Sequence, residues 1–133
     1  MQNLILTYLG SVLVFLAIDL VWLGVIAKDL YGKYLKDFLS DQINWTAAIV
    51  FYLLFIIGII YFAVYPAAEK DSLQQAVLNG ALFGFFTYAT YDLTNLATLK
   101  NWPIQIVFID IIWGMILTAS VATAGFYILK SLN

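Results

Sequence analysis

The 133-residue sequence contains no cysteine, no histidine and no arginine, and only two prolines. Without cysteine there is no disulfide, no thiolate nucleophile and no cysteine-ligated metal. Without histidine there is no imidazole ligand and no imidazole base. Thiolate, histidine–zinc, haem–histidine and Ser-His-Asp chemistries are therefore excluded. Charge is scarce too: charged residues make up 11% of the chain against 64% hydrophobic. An ordinary soluble domain is about 25% charged and about 45–50% apolar. This balance rules out a soluble globular domain, a disordered chain and a basic nucleic-acid binder. Glycines are scattered or lie within apolar stretches, so no phosphate-binding loop is formed. What is left is a small integral membrane protein whose first partner is the lipid bilayer. No nucleic-acid partner, no metal and no cofactor is expected.

Four hydrophobic stretches, residues 3–27, 44–67, 75–97 and 104–129, are each long enough to cross a hydrocarbon core, which takes about 20 residues. The alternating pattern of a membrane strand is absent. A segment alone in lipid must satisfy its own backbone, so each stretch is predicted to be helical. The expected fold is all-α: a single membrane domain over residues 1–133, built as an antiparallel bundle of four transmembrane helices. The first stretch has no basic flank before it and is too long for a signal peptide, so it is expected to be a mature helix.

All six lysines lie at or outside the span borders. Lys28, Lys33, Lys36 and Lys100 fall on the side of the first and third connections, Lys70 and Lys130 on the other. The positive-inside rule then puts the first and third connections in the cytoplasm and both termini outside. Within the first connection Leu30, Tyr31, Tyr34, Leu35, Phe38 and Leu39 recur at helical spacing, with Lys33, Lys36, Asp37 and Asp41 opposite. This predicts a short amphipathic helix over 29–40 lying on the headgroups. Trp45 and Trp102 sit near span borders and read as aromatic-belt anchors, while Tyr61, Tyr65 and Pro66 read as a belt and a helix stop.

Three of the eight acids, Asp19, Asp92 and Asp110, fall inside predicted spans. A mid-helix Asp costs about 2.5–3.5 kcal/mol on insertion scales. Asp19 lies past the middle of the first span, Asp92 late in the third and Asp110 early in the fourth. At about 1.5 Å per residue all three come within roughly 5–9 Å of the midplane, in one leaflet. No span holds a basic residue, and Lys28 and Lys100 are placed to snorkel outward. Three ionised carboxylates would repel, so at least one needs a proton, or a cation or water must sit among them. Tyr88, Tyr91, Thr94 and Asn95 flank Asp92. Trp22 follows Asp19 by three residues, and Trp113 follows Asp110 by three. The predicted site is an acidic pocket with aromatic walls. The bland alternative is a paired network that only fixes helix register. Interhelical hydrogen bonds of that kind average only about 0.6 kcal/mol.

Gly80 and Gly84 form a small-xxx-small pair that predicts close helix packing, either within the chain or in a homodimer. Residues 15–26, FLAIDLVWLGVI, faintly echo 88–99, YATYDLTNLATL, as parallel repeats of some transporters do.

The runs Asp19-Leu20-Val21-Trp22-Leu23-Gly24, Tyr88 through Tyr91-Asp92-Leu93-Thr94-Asn95, and Asp110-Ile111-Ile112-Trp113-Gly114 resemble a bacterial family of predicted four-span membrane proteins, domain of unknown function 2177. The resemblance covers essentially the whole chain, and its most specific part is Tyr-Asp-x-Thr-Asn. It implies the fold and a bacterial inner-membrane setting, and it supplies no activity.

Three functions compete. In the first, a small proton-coupled transporter or binder, the acids exchange a proton for a cationic small molecule held against Trp22, Tyr88, Tyr91 and Trp113. In the second, a membrane-embedded enzyme uses a carboxylate base, or two or three Asp holding Mg²⁺, on a lipid-like substrate. In the third, a non-catalytic scaffold or accessory subunit uses its polar network only for structure. The residues favour the first, and a binder over an enzyme.

Overall fold

In a computed structural model describing residues 1–133, all regular structure is helical, with no strand. Five helices follow one another. They are α1 (Gln2–Ile26), α2 (Lys28–Tyr34), α3 (Trp45–Glu69), α4 (Leu73–Thr98) and α5 (Ile104–Leu132). Two stretches, Trp22–Ile26 ending α1 and Ile60–Val64 within α3, are wound as π-helix. α1, α3 and α5 are each long and apolar enough to cross a membrane. α4 has 26 residues, a length of about 39 Å at 1.5 Å per residue. Its Gln, Asn, Thr and Asp residues make it less apolar than the other three.

Local chemistry sets the helix ends. Asn44 caps α3 by accepting from the Ala47 amide at 3.0 Å, and Ser72 caps α4 by accepting from the Gln75 amide at 3.2 Å. Each side chain satisfies a donor that has no partner inside the helix. The tight turns before α4 and α5 use Asp71 and Asn101 at φ of 46° and 59°, the left-handed region that Asp and Asn tolerate best.

α5 lies at the centre. Most of the core around Phe15, Ile56, Ile59, Leu117 and Val121 packs along it. Its tightest partner is α4. A Cβ added to Gly84 would lie 2.2 Å from the Gly114 carbonyl oxygen, and one added to Gly80 would lie 2.9 Å from the Ala119 Cα. The small-residue stripe therefore serves packing within the chain. Lipid tails are as apolar as these side chains, so close backbone approach replaces the hydrophobic effect as the source of cohesion. Outward, Leu13, Leu20, Leu54, Phe86, Phe108, Ile112 and Ile116 stand exposed. Such an apolar surface suits lipid rather than water. Where the chain ends meet, the Asn3 amide donates to the Leu132 carbonyl at 3.0 Å, and Lys130 pairs with Asp71.

Three sequence expectations change here. The helix expected over 29–40 spans only Lys28–Tyr34, with turns beyond it. Its apolar face docks on Ile106 and Val107 as well as Trp102. Trp102 is not a belt residue: it is buried beneath that face, with Phe38 5.0 Å away, centroid to centroid. Pro66 does not stop its helix, which runs on to Glu69. The π-helical turn just before it changes the bonding pattern where the missing Pro66 amide would break an α-helix.

Candidate functional site

Regular helices packed side by side bring distant acids together. Asp19 on α1, Asp92 on α4 and Asp110 on α5 are all buried, Asp92 completely. Asp110 neighbours both of the others, and its carboxyl adjoins that of Asp92. Both carboxyl oxygens of Asp92 are buried without a hydrogen-bond partner. Buried polar atoms are almost always partnered, because leaving one unpaired costs about 1–3 kcal/mol. No lysine pairs with either of them, since the one ion pair of the chain is Lys130 with Asp71, so two adjoining carboxyls need a proton or a cation between them.

The aromatic wall is built by the π-helical end of α1. Trp22 starts that stretch and stacks on Trp113 of α5, with centroids 4.2 Å apart and planes 7° from parallel. The Trp22 indole N–H donates to the Tyr31 hydroxyl at 3.1 Å, and Tyr31 donates to Asp110 Oδ1 at 2.7 Å. Tyr31 belongs to α2, so the helix after the first span is tied into the site. Burial, and then the Asp110 charge, hold the Tyr31 phenol well above its ordinary pKa. On the other flank the Tyr52 hydroxyl donates to Asp19 Oδ2 at 3.2 Å.

Around these groups lies a cavity of about 340 Å³ whose wall includes Asp19, Trp22, Tyr31, Tyr52, Asp110 and Trp113. Tyr88 and Tyr91 contribute to it from α4. Its volume is within the range of small-molecule pockets, and its lining, mostly apolar with a few convergent polar groups, is of the same kind.

The expected residues divide clearly. Asp19, Trp22, Tyr88, Tyr91, Asp110 and Trp113 share the cavity, and Asp92 sits against Asp110 behind it. Thr94 is turned away: it is exposed, and its hydroxyl bonds back to the carbonyls of Thr90 and Tyr91. Asn95 is half-buried beside Tyr91 and lines no part of the cavity. Gly80 and Gly84 support the site only indirectly, through the α4–α5 contact. Sequence reasoning missed Tyr31, Tyr52 and Trp102. Tyr52 carried a signal, since a phenol in mid-span needs a partner. Tyr31 and Trp102 carried none beyond their aromatic character.

No group of three or more acids is placed to ligate one metal ion. The family model described as "Predicted membrane protein (DUF2177)" matches residues 4–127. The chain belongs to that family. DUF2177 is thus, as the apolar helices also indicate, a membrane-protein family, and its description states no activity. No curated protein and no solved structure matches the chain.

Proposed function

We propose that this DUF2177 protein is a four-span antiparallel bundle of the bacterial inner membrane that binds a cationic small molecule in exchange for a proton. The observation that carries this reading is the fully buried Asp92 carboxyl, unpartnered and adjoining Asp110. Such a pair is in balance only with a shared proton or a bound cation. The stacked Trp22–Trp113 pair, Tyr88 and Tyr91 offer the ring faces to which organic ammonium groups are drawn. Tyr31 and Tyr52 hydroxyls orient Asp110 and Asp19. With four lysines on the side of the first and third connections, the end of the bundle where α2 lines the cavity through Tyr31 faces the cytoplasm.

The test is calorimetric titration of tetramethylammonium into the protein in lipid nanodiscs, between pH 5 and 8, in two buffers of different ionisation enthalpy. Proton and cation compete, so affinity should rise with pH and protons should be released on binding. Asp92→Asn should bind without releasing them. Binding with no pH dependence across this range would sink proton exchange. Unaltered function in cells with Asn at all three Asp positions would favour a scaffold instead.

A further inference from the structure

The two sides of α4 are closed differently. Against α5 it is sealed by glycine. Against α3 the backbones part: the stretch Ile60–Val64 packs on α4, whereas Trp45–Ile59 packs on α1 and α5 instead. Rings fill the space between. Phe62, Phe83, Phe55 and Phe51 form a column with successive centroids 5.6, 5.4 and 5.4 Å apart, near parallel throughout. Beside the lower end of this column, towards Tyr91, lies a second cavity of about 380 Å³. Phe51 and Phe55 line it from α3, Thr87, Tyr88 and Tyr91 from α4, and the buried Asp110 of α5 is the one acid among them. Phe51 and Tyr91 are both more than half exposed, so this cavity opens sideways between two lipid-facing helices.

Its walls offer almost nothing polar until Asp110. The Thr87 hydroxyl is used within α4, donating to the carbonyls of Phe83 at 2.7 Å and Gly84 at 3.2 Å. The inner end is the opposite, since Asp110 adjoins the unpartnered Asp92 carboxyl. A plain hydrocarbon chain entering from the bilayer would put its terminal methyl against a carboxyl. A chain carrying a cation at its leading end would match both ends. The first cavity shares Phe51, Tyr88, Tyr91 and Asp110 with this one, so a head held there and a tail held here belong to one molecule.

We infer that the α3–α4 opening takes the hydrocarbon tail of a cationic amphiphile whose head occupies the acidic cavity, so that the ligand arrives laterally from the lipid. This rests on the cation-binding reading and specifies its ligand class.

The chain has no cysteine, so Thr87→Cys supplies a single thiol in the groove at almost no change in size. Its labelling by N-ethylmaleimide in nanodiscs is timed with dodecyltrimethylammonium or tetramethylammonium, which share one head, each at ten times its own dissociation constant. Occupancy at that ratio slows labelling about elevenfold if the ligand covers the thiol. The long-chain ion should give this slowing and the short one none. Phe86→Cys, at a site 63% exposed on the same helix, should react at one rate with or without either ion. Equal protection by both ions, or by neither while both still bind and release protons, overturns the groove and leaves the cation site standing. If neither ion binds at all, the cation reading fails and the tail site fails with it.

Discussion

α4 touches α5 through backbone and the Trp45–Ile59 part of α3 through rings, and the two contacts differ in what they allow. At Gly84 the nearest atoms to an added Cβ are the carbonyl oxygen and carbon of Gly114. At Gly58 of α3 the nearest atom is the tip of the Phe83 ring, at 2.6 Å. Backbone in the middle of a helix cannot step aside, but a ring can turn. The first contact is a fixed hinge line that sets Asp92 against Asp110. The second is a seam whose width depends on side-chain rotamers. A protein whose helices gain nothing from hiding apolar surface can build rigid and yielding contacts on one helix by residue size alone.

The same substitution on each side tests this contrast. Gly84→Ala should be the most damaging, destabilising the fold by about 3 kcal/mol through overpacking that neither backbone can relieve. Unfolding in mixed detergent micelles would reveal it, and a loss under 1 kcal/mol would mean that α4 and α5 can separate. Tyr31→Phe should come next, at about 2 kcal/mol for a hydrogen bond to a carboxylate. Unlike the glycine effects, this one depends on pH. The Tyr31 phenol titrates higher in the fold than in the unfolded chain. Its stabilising contribution is complete below the unfolded value of about 10 and is lost as pH rises from there towards the folded value. Wild-type stability should therefore fall more steeply above pH 10 than that of Tyr31→Phe, and parallel profiles would separate Tyr31 from Asp110. Gly58→Ala should be smallest, within about 1 kcal/mol of wild type, since ring displacement opposes the helix-propensity gain of Ala over Gly. A cost as large as that of Gly84→Ala would erase the contrast.

Much of the site was legible because helices are regular. Counting residues put Asp19, Asp92 and Asp110 at one depth, but the same count on helices running in opposite directions sets Trp22 nearer the surface than its acid and Trp113 deeper than its own, so the stacking of the two rings was not legible. Regularity also explains the error over Thr94. Two residues from Asp92 is a turn of about 200°, which faces outward from the cluster, and a threonine hydroxyl there can bond to its own helix. Tyr31 was hidden for a different reason. An amphipathic segment looks the same whether its apolar face meets headgroups or protein, and only the buried Trp102 beneath it distinguishes the two. The opening beside Phe51 could not be read either, because a gap depends on how two backbones diverge and no residue type records that.

The π-helical stretch Ile60–Val64 acts on that divergence as a phase shifter. One part of α3 is keyed to α4 and the rest to α1 and α5, and the wider winding between them decides how the two faces are rotated relative to each other. Removing a single residue there would turn everything from Trp45 to Ile59 by about 100°. Tyr52 would swing away from Asp19 and Phe51 away from Tyr91 with no side chain replaced. The angular setting of the acidic chamber is thus stored in chain length, where a shortened sequence would change it and a point substitution would leave it intact.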